Sequence, residues 1–409
     1  MAGKAFAVAF GENGMRRKLT VWWGIPCKSA IPVFKSLAEQ LDVDILFVAL
    51  NDLPAHRKKL GWDIPDFGKL SFQVLGASWI SEAKALIDDR AGLHIVNGIY
   101  HDERVRYVSH RLAEKNREFG VIMEAPANLR TGLGRIIKKF VGPIVTPFRT
   151  RSVAKKARFV LSASGDRQRD FERLGFSRDR IFRYGYFPDF PAITRKPGPS
   201  FDLRVLCIGY LEPFKGQDCL LSALAILKHN KIPFECVITG FGSSESYLVK
   251  MNDRLGLQEN VKFVGVVSND KLKELFDWAN ILVAPGLEEP WGIRVNEALL
   301  SGLPVVVSDG VGAKELVEVS GAGELFRAGS SASLADALTR SLARLSNEAE
   351  LVDKVCAFQR SITPHAAAAY LVEVLDYIQA GSVVSLTRPI PPWSLPPKPG
   401  QQLLQEHTV

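Results

Sequence analysis

Glu289 and Glu297 lie eight positions apart in the stretch Ile281 to Asp309, ILVAPGLEEPWGIRVNEALLSGLPVVVSD. That spacing is a little over two helical turns, so the two carboxylates would share one face if both were helical. Glu288 and Glu289, followed by Pro290, carry the signs of a helix start: acids in the first turn, and a proline where no hydrogen bond is lost. The amides around Trp291, Gly292 and Ile293 would then be first-turn donors at the positive end of the helix dipole, a place that suits a phosphate or a sugar oxygen. Carboxylates would repel a phosphate. They fit better as acceptors for the hydroxyls of a polyhydroxylated ligand, and the competing reading is a surface helix with acids at its N-terminus.

The neighbouring elements must hold these groups in place. Ile281 to Ala284 is a short apolar run of the kind that makes a buried parallel strand, ended by Pro285-Gly286. Gly302-Leu303-Pro304 stops the helix, and Val305 to Val307 is the next strand. Further strands are predicted at 204–209, 234–240, 261–265 and 324–326, with helices at about 217–228, 246–255, 270–279, 295–301 and 333–345. Such alternation calls for a doubly wound parallel sheet, which binds ligands at the carboxyl ends of its strands. Three loops fall at those ends: Gly209 to Asp218, GYLEPFKGQD; Gly240 to Glu245, with glycines at 240 and 242; and Phe263 to Asp270, FVGVVSND.

With Glu-x7-Glu after an apolar strand, a glycine at the helix start and EALLSGLPVVVSD behind it, the sequence resembles the retaining glycosyltransferases of family four, of the bacterial polysaccharide and lipopolysaccharide type. The resemblance covers residues 19 to 380 and is specific in the second half. It implies GT-B architecture: α/β, with two Rossmann-like doubly wound domains facing a central cleft. It implies that Glu289 holds hydroxyls of a donor sugar and Glu297 the ribose of its nucleotide. In the family the first loop usually reads Gly-Arg-Leu and then Lys-Gly, the Arg and Lys gripping the donor diphosphate. Lys215 and Gly216 match, but Tyr210 stands in place of the Arg, and a fixed bidentate cation is lost. Arg294, a residue of the other domain, or nothing could fill that gap. Donor contacts are thus expected from Gly209, Tyr210, Lys215, Gly240, Gly242, Val266, Glu289, Trp291, Gly292, Ile293 and Glu297, where Val266 or Val267 would offer backbone groups to the base. No metal or cofactor is implied, since helix amides and Lys215 would stabilise the leaving diphosphate.

The first half opens as a βαβ unit: strand 19–23, loop 24–29, helix 31–41 and strand 43–50, after a loose arm up to Arg17. Family members often carry two glycines in this first loop to admit the acceptor; here only Gly24 is present. Residues 56–67 read as a connection or a lid, 71–76 as a strand and 81–89 as a helix. The strand 93–100 delivers Asn97, Gly98, Tyr100 and His101 to a ligand-binding edge. The resemblance makes His101 a candidate for hydrogen bonding to the reacting sugar, although His94 and His110 are close in sequence and spacing does not choose. Residues 105–118 form a charged helix, and the strand 120–126 delivers Glu124, which could orient an acceptor hydroxyl or pair with one of the arginines that follow.

A chain of 409 residues is long enough for about two domains. Five scattered cysteines fit neither a disulfide framework nor a zinc site, which points to a reducing compartment. No run of eighteen apolar residues occurs, so no span is expected. Residues 1–200 hold 34 Lys+Arg against 20 Asp+Glu, whereas residues 201–409 hold 18 against 24. From Ala125 to Gly165 there is no acid, while nine basic residues fall between Arg130 and Arg158. Such a block implies an anionic partner. Within it, 133–148 is amphipathic and basic: either a core-facing helix with solvated lysines or a segment that lies on an anionic membrane surface. The expected organisation is an acceptor domain at 1–191, a hinge at 192–203, a nucleotide-sugar donor domain at 204–362, a helix crossing back at 363–381, and a proline-rich, extended or disordered tail at 382–409.

The reading is an enzyme that moves a sugar from a nucleotide diphosphate sugar to a saccharide or lipid-linked acceptor, with retention at the anomeric carbon. It would work in the cytoplasm, with peripheral contact to the inner face of the cytoplasmic membrane through 130–158 and no nucleic-acid partner. Two rivals stay open, a nucleotide-sugar epimerase of the same fold and a non-catalytic carbohydrate-binding protein.

Overall fold

The structure is a computed structural model, which describes residues 17–54, 57, 64–89, 92–126, 150–190, 202–345, 348–380 and 386–394. Two parallel sheets organise it. The first contains seven strands in the order β3-β2-β1-β4-β5-β6-β7. They are β1 (Arg17–Trp23), β2 (Val43–Ala49), β3 (Ser71–Val74), β4 (Leu93–Asn97), β5 (Phe119–Met123), β6 (Val160–Ser162) and β7 (Ile181–Arg183). The second has six strands in the order β10-β9-β8-β11-β12-β13: β8 (Leu203–Ile208), β9 (Phe234–Thr239), β10 (Val261–Phe263), β11 (Ile281–Ala284), β12 (Val305–Ser308) and β13 (Gly323–Phe326). In both, the chain starts at the centre, winds to one edge, returns and winds to the other. The strand order therefore reverses beside the first strand of each sheet, and a crevice opens there at the carboxyl ends.

Helices cover both faces, which is why the central strands read as unbroken apolar runs rather than alternating ones. Val305, Val306 and Val307 are fully buried, and so are Val21 and Trp22 at the centre of the other sheet. One apolar cluster joins the two units. It contains Val21, Phe34 and Phe47 of the first, Trp291, Val307 and Leu316 of the second, and Leu371 and Trp393 from the C-terminal stretch. The helix expected to cross back runs from Pro364 to Ala380 and packs on α1 (Ile31–Gln40), where Gln40 Nε2 donates to the His365 carbonyl at 3.3 Å.

Three expectations need correction. Glu288, Glu289 and Pro290 are not the first turn of a helix: α2 (Ile293–Leu300) begins after Gly292. The Glu289 amide donates to the Gly310 carbonyl at 3.0 Å, and the Gly312 amide donates to the Glu289 carbonyl at 3.0 Å. This isolated bridge to Val311 ties the segment to the neighbouring loop and overrides its helical start signals. Gly292 then turns the chain into the helix with φ 96°, a left-handed value that favours glycine. Second, the proline-rich tail is not free over 386–394. Arg388 donates to the carbonyls of Asp179, Arg178 and Ile181, and Trp393 is fully buried. Third, helices at Lys314–Ser320 and Glu348–Gln359 were not foreseen. The loose arm before Arg17, the amphipathic stretch 133–148 and nearly all of the expected hinge lie outside the described residues.

Candidate active site

The loops at the carboxyl ends of β8, β9 and β11 meet at one point. Lys215 ends a short turn (Pro213–Lys215) after β8, and its Nζ lies 2.5 Å from Glu289 Oε1, both side chains being about one-fifth exposed. Glu297 is buried on α2 one turn beyond Arg294, whose guanidinium donates to its carboxylate. Arg294 is thus paired with Glu297 in this structure. The two carboxylates of the Glu-x7-Glu pair are each neutralised by a cation, Glu289 from the β8 loop and Glu297 from its own helix.

Tyr210 has other company. Its ring meets Phe241 edge-on at 5.3 Å between centroids, and Arg57 of the first domain stands over it with Cζ 5.6 Å from the centroid. A guanidinium carried by the opposite domain is thus held against the aromatic face of Tyr210. Gly240 and Gly242 lie against the same loop: a Cβ at Gly242 would sit 2.3 Å from the Leu211 carbonyl oxygen. Ser243 bonds through its hydroxyl to Glu212 at 2.7 Å. These residues fasten the β9 loop onto the β8 loop. Val266 is exposed at the mouth of the same crevice together with Phe241, and nothing lies within 4 Å of a Cβ placed on Gly209.

The wall opposite comes from the first domain. Glu124 follows β5 and accepts a hydrogen bond at 2.7 Å from the hydroxyl of the half-buried Tyr186, 62 residues along the chain; Arg130 and Arg135, the first of the arginines that follow it, lie outside the described residues. Burial holds the Glu124 carboxyl above its usual range; Glu289 raises it further, while Tyr186 and Lys215 act in the other direction. Glu289 and Lys215 are thus near enough across the inter-domain space for their charges to act on Glu124. Arg167 spans the same gap, with Nη2 donating to the Pro126 carbonyl at 3.1 Å and Nη1 3.9 Å from Glu288. Neither Tyr186 nor Arg167 was singled out from the sequence; the fact that Tyr186 lies three residues past the end of an edge strand is the only signal it gives.

The remaining first-domain candidates are less engaged. Gly24 has open space where a side chain would stand, and its carbonyl accepts from the Asn51 amide at 3.0 Å. Asn97 donates to the Ile122 carbonyl at 3.4 Å within the sheet. His101 is exposed and its ring lies on Gly98, where a Cβ would be 2.2 Å from Cε1. It sits just before Asp102, which caps the next helix by accepting from the Arg104 and Val105 amides.

Trp291 backs the site. It is fully buried, donates through Nε1 to Asn296 Oδ1 at 2.8 Å, and lies so close to Gly185 of the first domain that a Cβ there would be 2.3 Å from its ring. Two acids each paired with a cation, a third acid facing them, an exposed apolar rim and an open backbone floor can receive a ligand that is anionic in one part, hydroxylated in another and planar in a third.

Residues 192–353 match the family model described as glycosyl transferases group 1. The amylovoran biosynthesis glycosyltransferase AmsK of Erwinia amylovora is 33% identical over 207 residues, which are 48% of this chain and 50% of that protein. An uncharacterized glycosyltransferase of Methanocaldococcus jannaschii is 37% identical over 121 residues, 29% of this chain and 30% of that one. The chain thus matches half or less of the length of these relatives. Among solved structures, Anabaena HepE in complex with UDP superposes with a TM-score of 0.66 at 18% identity, over 88% of this chain and all of that one. The fold is GT-B, with two Rossmann-like domains facing a cleft.

Proposed function

We propose that this chain, whose residues 192–353 match the model of the glycosyl transferases group 1, transfers a sugar from a nucleotide diphosphate sugar to a saccharide or lipid-linked acceptor in glycan synthesis. The observation that carries the reading is the Lys215–Glu289 pair, 2.5 Å apart at the strand ends of the second domain and electrostatically coupled to Glu124 of the first. When donor binds, Lys215 turns to the diphosphate and leaves Glu289 to accept from sugar hydroxyls. Glu297 takes the ribose hydroxyls, Val266 and Phe241 border the base, and Arg57 adds from the facing domain the positive charge that Tyr210 does not supply. The complex with UDP formed by a protein of the same fold supports a nucleotide in this crevice.

The transfer retains configuration and requires no metal in this reading. Lys215, Arg57 and the first-turn amides of α2 stabilise the charge that grows on the leaving diphosphate. Its departing oxygen takes the proton of the acceptor hydroxyl, and Glu124 orients that hydroxyl on the same face. His101, Gly24 and Asn97 line the acceptor side.

Thermal-shift measurement across UDP-, GDP- and ADP-sugars tests the reading. One nucleotide class should raise the melting temperature, since ligand at a hundredfold excess over its dissociation constant adds about 2.7 kcal/mol. Glu297→Ala should remove most of that shift. A shift for none of the three would remove the donor site. Donor binding with the donor left intact would move the chain to the binding-protein class, and isomerised donor without acceptor to the epimerase class.

A further inference from the structure

The nine described residues at the C-terminal end, 386–394, do two things at once. Arg388 lies with Cζ 4.7 Å over the Phe182 ring and donates to three carbonyls around the start of β7, the closest being Ile181 at 2.6 Å. Five residues later a short turn, Pro392–Ser394, inserts Trp393 between the domains. Its ring centroid is 5.8 Å from Phe187 and 5.4 Å from Trp291. The indole is fully buried, and its Nε1 has no hydrogen-bond partner among the described residues. Burying an unpaired N–H is unfavourable, so shape and apolar contact hold the ring there.

Both of these aromatic neighbours of Trp393 are one step from the chemistry. Phe187 adjoins Tyr186, whose hydroxyl holds Glu124. Trp291 is two residues from Glu289, and its Nε1 is bonded to Asn296 on the helix that carries Glu297. One indole therefore supports both walls of the cleft from behind, and Arg388 fastens it to the first sheet.

We infer that residues 386–394 are a strap that completes the site, with Trp393 as a positioning residue that sets the separation between the Glu124 wall and the Glu289 wall. Its consequence for sugar transfer rests on the function proposed above; its structural effect does not. Without the indole, Trp291 and Phe187 lose their common support, the loops 183–190 and 286–297 loosen together, and the reacting groups drift out of register. Turnover then falls while most donor contacts, which belong to the second domain alone, persist.

Hydrogen exchange on the full chain, read by peptide without ligand, tests the strap. Trp393→Ala should speed exchange in 183–190 and 286–297 while leaving β9 at its wild-type rate, and Trp393→Phe should restore both loops. Arg388→Gln, which frees the anchor without opening a cavity, should show the same local pattern and carries the test if Trp393→Ala does not fold. Uniform acceleration in every peptide, or wild-type exchange in both loops, would overturn the strap. In steady state, Trp393→Ala should lower kcat on the order of 10- to 100-fold with donor KM nearly unchanged; a rise in KM alone would overturn the positioning role. If the wild type shows neither turnover nor added protection with UDP-, GDP- or ADP-sugars, the proposed function fails, and the ligand-free exchange still decides the strap.

Discussion

Glu124 sits where burial and a neighbouring carboxylate both oppose its charge. Its native pKa is raised above the ordinary 4.5, burial being the larger cause. The native chain therefore keeps this proton where the unfolded chain has released it. The stability it contributes is full below pH 4.5 and is lost as pH rises through the native value. Glu124→Gln removes the titrating group and keeps an acceptor for Tyr186, so its melting temperature should decline less than that of the wild type as pH rises above 4.5. Equal slopes would contradict the burial argument. Acceptor-dependent turnover should fall in the same variant, because an amide orients a hydroxyl less strongly than a carboxylate. Glu289, Glu297 and Lys215 were legible as candidates in the sequence because their chemistry is packed into one short loop and one loop-to-helix junction. The Glu124–Tyr186 bond was not, since it is made by two strand ends brought together only by the order of the sheet. Tyr210 could be seen as a departure, but Arg57, which answers it, lies in a stretch with no motif of its own.

At the scale of elements, strand starts were readable to within two residues, while the expected strands 93–100 and 120–126 run three residues past the ends of β4 and β5. The run Ile281–Ala284 coincides with β11, because strands buried on both faces are bounded by a change of composition. The start of α2 was misread because the acids and proline of 288–290 obey helix-start preferences, while the decisive contacts come from residues 310–313. The Ala313 amide donates to the Trp291 carbonyl at 2.7 Å and completes that fastening. Gly185 shows how tightly the next layer is built. The Trp291 ring beside it is pinned by Asn296 and by Trp393, so it cannot yield to a methyl group. Gly185→Ala should destabilise the chain by about 1–3 kcal/mol in urea unfolding, with loss of donor-induced stabilisation as well. Wild-type stability would mean that the ring has room to move.

At the scale of the whole molecule, the charge imbalance of the first 200 residues is partly answered inside the fold. Lys156 donates to the Ala113 carbonyl at 2.8 Å, and Arg158 pairs with Glu118 at 2.6 Å. Arg130 to Arg149 lie outside the described residues. Among the described residues no helix is long and apolar enough to cross a membrane. A surface attachment through the remaining basic residues would contribute about 1 kcal/mol per cation near an anionic leaflet. Flotation with phosphatidylserine-containing vesicles should therefore carry the wild type upward at low salt and leave Lys138→Glu/Lys139→Glu behind. Equal flotation of the two proteins would exclude the segment as the contact.

The apolar cluster that runs from Val21 and Phe34 through Trp291 and Val307 to Trp393 makes the halves mutually dependent. Neither lobe is a free-standing module: severed between the sheets, each would present to water the greasy surface that the other now covers. Heating should accordingly give one sharp calorimetric peak rather than two, and a protease that nicks the connection should leave the fragments associated.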